Sequence, residues 1–405
     1  MSTSSPTPLK VCWLHEKRGA QGGAEANVLE TALALRARGF ENTLAHRETT
    51  GVDEARWDEA FAGSVHIPPG TPAAPLLAHT GADLLWIHNW NHSEDFENLR
   101  ALGRPRARMI HDHAMYCMRH YKYHPLTRRN CTRPASLACI FPCLAPVQRG
   151  SGRWPLRLAS FSAKLREIAH NRSLDRLVVN STFMEGELRK NGFSPEKIDV
   201  LPPLPPERAL PAGLAATPAE PGHLLFAGQV IRGKGLDHLL QALHGLSGDW
   251  SLTVAGRGSA LDKCRALASR LGLDERIEWL GHLSPEELAR QYRRAALVAV
   301  PSVWQEPFGM IGIEAMRHGR PVVAYASGGI PEWMRDGEHG RLVPTGDIPA
   351  LRAALVELLA DPARLAVCGE RAREWVRAHF SFEGYIDRLA DRLRAYSLSF
   401  RKERG

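Results

Sequence analysis

The chain has 405 residues, of which 44% are hydrophobic and 24% charged, with 7 cysteines. That length and usage predict two globular domains and exclude disorder, collagen-like repeats and a coiled coil. No apolar run nears the roughly 18 residues that would cross a membrane; Met1 to Pro8 is polar, so no secretory signal is expected, and in a cytoplasmic protein the cysteines stay reduced.

The net charge of +8 is uneven. Ala101 to Arg172 holds fourteen Lys or Arg against Asp112 and Glu167, a local +12 that leaves −4 for the rest. Such a field favours an anionic partner: phosphates, a lipid surface or nucleic acid. A solvated basic face is the plain alternative.

In chain order, Lys10–His15 is a predicted strand, followed by a glycine loop at Gly19–Gly23. Ala24–Arg38 is a predicted helix, with Val28, Leu29, Ala32, Leu33 and Leu35 on one face and Gly39 as its stop. Further strands are predicted at Asp83–His88, Arg108–His111 and Arg176–Asn180. Strands alternating with helices argue for parallel sheets with helices on both faces. Leu201 to His223 carries seven prolines and is a linker. Beyond it, strands are predicted at His223–Ala227, Ser251–Ala255, Arg276–Leu280, Leu297–Val300, Pro321–Ala324 and Arg341–Val343. Ser284-Pro285-Glu286-Glu287 starts a helix with a capping box. From about Ala350 the pattern is helical to the end. The expected fold class is α/β, with two Rossmann-like, doubly wound domains facing across a cleft. Residues 1–205 form the N-terminal domain, with a cysteine-rich, basic insertion at about 113–172. Residues 206–375 form the C-terminal domain, and 376–405 a C-terminal helix, for which a return to the N-terminal domain is an option.

Val300 to Gly319, VPSVWQEPFGMIGIEAMRHG, is the most informative stretch. A strand ends, a loop carries Glu306-Pro307-Phe308-Gly309, and a helix starts near Met310 and carries Glu314. The unpaired N–H groups and dipole of a helix start suit a diphosphate. Glu306 at the helix mouth and Glu314 inside it could accept hydrogen bonds from two sugar rings; the alternative is that Glu314 faces solvent. Phe226 to Gly235, FAGQVIRGKG, is a glycine-rich turn after a strand. There Lys234 can neutralise a phosphate while Gly228 and Gly233 let the backbone approach. The Gly22-Gly23-Ala24-Glu25 loop has the same logic, without the dinucleotide-binding spacing.

The Glu-x7-Glu motif in EPFGMIGIEAM stands in order with GGAE, AGQVIRGKGLD, VAGRGS, RIEWLGHLS and SGGIPEWMRDGEHGRLVPTGD. Together they resemble the retaining glycosyltransferase family 4, of the GT-B fold. The resemblance is strongest over about Gly222 to Asp347. It implies a UDP- or GDP-linked sugar donor on the C-terminal domain and an acceptor on the N-terminal domain. It further implies that Glu306 contacts the transferred sugar and Glu314 the ribose hydroxyls. Phe308, Gly309 and Met310 would offer backbone groups to sugar and phosphates, and Lys234 matches the family's phosphate-binding lysine. The family often has Arg after the glycine that here is Gly228; this chain has Gln229, with Arg232 as the stand-in. The base would lie near Arg257, His282 and Leu283, and the Gly22-Gly23 loop would also approach the donor. His111 resembles the family histidine that lines the donor sugar and acceptor; the alternative is a histidine that satisfies a strand end. No catalytic cofactor is implied, and configuration would be retained by attack on the face the phosphate leaves.

Cys117, Cys131, Cys139 and Cys143 fall within 27 residues. Four thiolates at such spacing can hold a structural zinc or an iron–sulfur cluster; disulfides or plain buried thiols are the alternatives. Trp154, Leu158, Phe161, Leu165 and Ile168 recur at helical spacing amid Arg153, Arg157, Lys164, Arg166 and Arg172. This is expected to be either an interfacial helix on an anionic membrane or a helix packed on the N-terminal domain. The expected function is sugar transfer to a hydroxyl of an anionic or lipid-linked acceptor, as in surface polysaccharide, lipid-linked glycan or glycoconjugate synthesis, by a cytoplasmic protein with peripheral contact at the inner membrane face. A phosphorylase or a synthase on a small phosphorylated or metabolite acceptor is the second enzymatic option. A basic nucleic-acid- or membrane-binding protein without catalysis is the third; the basic stretch lacks a nucleic-acid reader motif, so nucleic acid is not the expected partner.

Overall fold

The computed structural model describes residues 8–19, 23–124, 127, 129–149, 156–207 and 219–402. The chain divides into two compact units, one of Met1–His120, Arg133–Pro206 and Phe382–Gly405, the other of Tyr121–Thr132 and Glu207–Ser381.

The first unit is built on a seven-stranded sheet. Its order is Ile198–Val200, Arg176–Val179, Arg106–Ile110, Leu84–Ile87, Leu9–Leu14, Phe40–His46 and Gly63–His66. Every pairing is parallel. The Leu84–Ile87 strand is buried at every position, as a sheet covered on both faces requires. Phe40–His46 was not legible as a strand because Asn42 breaks its apolar run. That side chain is buried but satisfied: Trp13 Nε1 donates to Asn42 Oδ1 at 3.0 Å, and Asn42 Nδ2 donates to the Ala32 carbonyl at 2.9 Å. Gly63–His66 and Ile198–Val200 are short edge strands with little apolar signal.

The helical tail divides between the units. Pro362–His379 falls in the second and Phe382–Lys402 in the first. The latter buries Tyr385, Ile386, Leu389, Leu393 and Tyr396, a stripe of three- and four-residue steps. Tyr396 Oη donates to Asp199 Oδ2 at 2.6 Å, and Arg38 pairs with Asp387 at 2.7 Å.

The second unit carries a six-stranded parallel sheet. Its order is Ile277–Gly281, Ser251–Ala255, His223–Ala227, Leu297–Val300, Val322–Tyr325 and Gly340–Val343. His223–Ala227, Val322–Tyr325 and Leu297–Val300 are buried throughout. The helix Pro285–Arg294 starts in the expected capping box: Glu287 N donates to Ser284 Oγ at 3.2 Å and Ser284 N to Glu287 Oε2 at 2.7 Å.

The single helix expected through Trp154 to Ile168 is not what forms. Trp154 and Arg153 lie outside the described residues. Leu158 belongs to a strand, Leu156–Leu158, antiparallel to Val147–Arg149. The helix is Phe161–Arg172, capped by Ser160 Oγ, which accepts from Ala163 N at 3.2 Å. Leu158 and Leu165 are exposed and Ile168 is buried. The cap and the strand pairing break the helical spacing between Leu158 and Phe161.

Three neighbouring strands of the first unit, Leu9–Leu14, Leu84–Ile87 and Arg106–Ile110, each run into a histidine: His15, His88 and His111. His15 and His88 are buried, and the Trp13 ring stacks on His88 at 5.2 Å. His88 Nδ1 and His111 Nε2 share a hydrogen bond of 3.1 Å. Burial pushes His15 down to about 3 and His111 to about 4, and holds His88 well below the ordinary 6.5. All three are neutral near pH 7. Because the folded values are depressed, unfolding takes up protons below pH 6.5, so stability is full above that value and falls as the pH drops towards the folded values. The unfolding free energy from urea titration, and the midpoint with it, should therefore decline between about pH 7.5 and pH 5, by up to roughly 1 kcal/mol per pH unit for each histidine, and His15→Gln should flatten the slope. A midpoint indifferent to pH over that range would contradict this.

Candidate nucleotide-sugar site

His223–Ala227 and Leu297–Val300 are parallel neighbours in the second sheet. The loops that follow them therefore leave the same end of the sheet, where ligands of such folds sit. This brings together residues 72 positions apart: Lys234 Nζ donates to Glu306 Oε1 at 2.6 Å. Ser302 Oγ donates to the same oxygen at 2.5 Å. Glu306 is only 4% exposed. Burial alone would raise its carboxyl; the Lys234 ammonium and hydrogen bonds from Ser302 and Trp304 outweigh burial and hold it below the usual carboxylate range. The Trp304 ring lies 5.0 Å from Lys234 Nζ, a cation–π contact on the same ammonium.

The loop is held from behind. Gly329 N donates to the Glu306 carbonyl at 2.8 Å. Gly328 has φ 62°, and a Cβ there would stand 2.1 Å from the Glu306 carbonyl oxygen, so only glycine fits. Trp333 Nε1 donates to the Phe308 carbonyl at 2.6 Å, and Ser327 Oγ to the Trp304 carbonyl at 2.5 Å. Gly309 caps the helix Met310–Arg317 with φ 91°. Glu314 is half-buried on that helix rather than facing solvent, and Tyr292 Oη donates to its Oε2 at 2.9 Å. Burial raises the Glu314 carboxyl, with the Tyr292 bond and Arg317 opposing. Ser302, Trp304, Gly328, Trp333 and Tyr292 were not singled out from the sequence. The SGGIPEW run signalled a glycine turn beside a tryptophan, but not what it supports.

The remaining expected donor residues of the second unit stand on loops at the same end of the sheet. Gly228 and Gln229 follow His223–Ala227, and Gln229 is exposed. Arg232 is exposed in the short 3-10 turn that ends at Lys234. Arg257, also exposed, follows Ser251–Ala255, and its carbonyl accepts from Val230 N at 2.8 Å, tying the two loops together. His282 and Leu283 follow Ile277–Gly281 directly. Gly23 opens the helix Gly23–Ala37 of the first unit, and Gly22 lies outside the described residues. His111 is in the first unit, half-buried, with His88 as its partner.

The metal site expected at Cys117, Cys131, Cys139 and Cys143 finds no support. Among the described residues no three His, Cys, Asp or Glu side chains stand close enough together to hold a metal ion, and no disulfide joins these cysteines. The surrounding turns are closed instead by main-chain hydrogen bonds: Cys117 N to the His113 carbonyl, Cys139 N to that of Ser136, Cys143 N to that of Ala138, and Cys131 N to that of Lys122.

Residues 215–375 match the family model for glycosyl transferases group 1, and residues 22–204 that for a glycosyl transferase 4-like domain. The chain is 32% identical to a D-inositol 3-phosphate glycosyltransferase of Mycobacterium sp. (strain KMS), over 82% of this chain and 76% of the relative. Among solved structures, Anabaena HepE in complex with UDP and glucose matches with a TM-score of 0.70 at 18% identity, covering 96% of this chain and 100% of that one. The sucrose-phosphate synthase of Thermosynechococcus elongatus matches with a TM-score of 0.70 at 22% identity, again covering 96% of this chain and 100% of that one. The third option, a binding protein without catalysis, is thereby set aside. With two parallel-sheet Rossmann-like units and both halves matching, the chain belongs to the GT4-type glycosyltransferases of the GT-B fold.

Proposed function

We propose that the protein transfers a sugar from a UDP- or GDP-linked donor to a hydroxyl acceptor with retention of configuration. The observation that carries this is the Lys234–Glu306 pair at the mouth of the Met310–Arg317 helix. The leaving group is a nucleoside diphosphate, so the main task is to stabilise charge that grows on its oxygens. Lys234 and the helix start do so electrostatically, with Arg232 in support. Glu306 holds the hydroxyls of the transferred sugar and keeps the ammonium of Lys234 in place. Glu314, fixed by Tyr292, holds the ribose. Phe308, Gly309 and Met310 approach sugar and phosphates with main-chain groups. The base rests against Gly228, Gln229, Arg257, His282 and Leu283. The Gly22-Gly23 loop and His111 serve the sugar and acceptor from the N-terminal half, His111 as a neutral imidazole held by His88. The relatives named UDP complexes support a UDP-linked donor.

The acceptor carries negative charge, matching the +12 stretch of residues 101–172. We favour a lipid-linked acceptor in glycan or polysaccharide synthesis, met by peripheral contact with a membrane from the cytoplasmic side. No helix among the described residues is long and apolar enough to cross one. A small phosphorylated acceptor is the second reading, favoured by the relatives named D-inositol 3-phosphate glycosyltransferases.

Lys234→Ala and Glu306→Ala should each lower turnover about 100-fold or more, with unchanged circular dichroism. Near-wild-type transfer by both variants would sink the assignment. Glu314→Gln should raise the donor KM roughly tenfold and leave kcat nearly intact, because the ribose is bound equally in ground and transition states. Gly328→Ala should displace the Glu306 main chain and lower kcat by about tenfold or more. A kcat equal to wild type would show that the contact behind Glu306 is dispensable. In a panel of nucleotide sugars, the true donor should raise the melting temperature, by about 2.7 kcal/mol of linkage at a hundredfold excess over its Kd.

A further inference from the structure

Residues 133–166, all in the first unit, contain six Lys or Arg and no Asp or Glu. The same stretch shows an unusual density of exposed large apolar side chains. Leu137, Phe141 and Leu158 are 75%, 77% and 82% exposed, and Ile140, Leu144 and Val147 accompany them. Leu137, Ile140, Phe141 and Leu144 stand on a tight series of turns that starts in the 3-10 turn Leu137–Cys139. Phe141 N bonds to the Leu137 carbonyl, and Leu144 N to that of Ile140. All four side chains are exposed. The exposed run reaches the paired strands Val147–Arg149 and Leu156–Leu158. Val147 N bonds to the Leu144 carbonyl, and Val147 pairs directly with Leu158, which puts both side chains on one face of the ribbon. The turn is anchored rather than loose, since Arg119 donates to the carbonyls of Cys143 at 3.1 Å and Leu144 at 2.7 Å.

We propose that this surface, formed by the Leu137–Leu144 turns and the paired strands Val147–Arg149 and Leu156–Leu158, docks on an anionic lipid bilayer. Leu137, Phe141 and Leu158 enter the headgroup layer, while Arg133, Arg157 and Arg166, exposed on the same segment, meet lipid phosphates. The charge selects this occupant. A second copy seated face to face would bring two acid-free basic segments together. Nucleic acid would use the charge but not the leucines, which cannot stack on bases. The inference deepens the membrane contact of the proposed function and rests on that part of it. It replaces the Trp154–Ile168 helix with the Leu137–Leu144 turns and the two paired strands as the inserting element.

The test is co-sedimentation of the full chain with phosphatidylcholine vesicles, with and without about 40% phosphatidylglycerol, at low and high salt. Wild type should bind the anionic vesicles and be released by salt. Phe141→Asp combined with Leu158→Asp should weaken partitioning at least about tenfold with an unchanged melting temperature. Arg157→Glu with Arg166→Glu should remove the preference for phosphatidylglycerol. Leu398→Asp, also exposed but outside the segment, should bind as wild type does. No binding by wild type, or equal binding by the Phe141/Leu158 variant, would overturn the proposal. So would a wild-type dimer that this variant dissociates without any vesicle binding. The assay contains neither donor nor acceptor, so its failure is separate from any failure of the sugar-transfer reading.

Discussion

A carboxylate as buried as Glu306 persists in its charged form only if a cation answers it, and Lys234 answers at 2.6 Å. Neither group is there for stability alone. An aliphatic pair of similar size would pack in the same space without the desolvation cost that both ions bear. What the pair provides is an oriented ammonium and an oriented, buried carboxylate beside a helix start. Such preorganisation is what phosphate-departure chemistry requires, because no reorganisation is then left for the moment of reaction.

The pair is assembled by the parallel sheet and finished by the loops around it. The sheet sets two loops side by side because their strands are neighbours. The final placement comes from a third segment, where Gly328 and Gly329 press on the Glu306 main chain and Trp333 grips the Phe308 carbonyl. Tyr292 plays the corresponding part for Glu314. These supporting residues fix the positions of Glu306, Phe308 and Glu314.

The N-terminal unit has a different economy of charge. Its strand-end histidines are driven neutral by burial, which suits hydrogen bonding to a hydroxyl better than ion pairing. Its basic segment keeps its charges outside and offers apolar tips among them. A turn that exposes Phe141 among other apolar tips is out of keeping with a surface meant only for water.

Much of this was legible in the sequence. His223–Ala227, Ser251–Ala255 and Leu297–Val300 fall where their apolar runs put them, because a strand buried on both faces needs apolar residues at every position. Lys234 and Glu306 were legible too, since glycine turns and paired acids beside a helix start are local patterns. Other features depended on distant partners. Asn42 hides a strand whose polar atoms are satisfied from other elements. Leu158 and Phe161 keep helical spacing, but Pro146 and Ser160 impose a hairpin and a cap between them. The four cysteines have the count of a metal site, but among the described residues no three metal-ligating side chains gather there. Periodicity and composition thus determined the fold class and where the glycine-rich and acidic loops lie, because those follow from neighbours along the chain. Which side chains meet, and which spacings are coincidence, was decided only by the tertiary structure, because hydrogen-bond partners and close contacts come from segments whose separation in sequence carries no signal of their nearness.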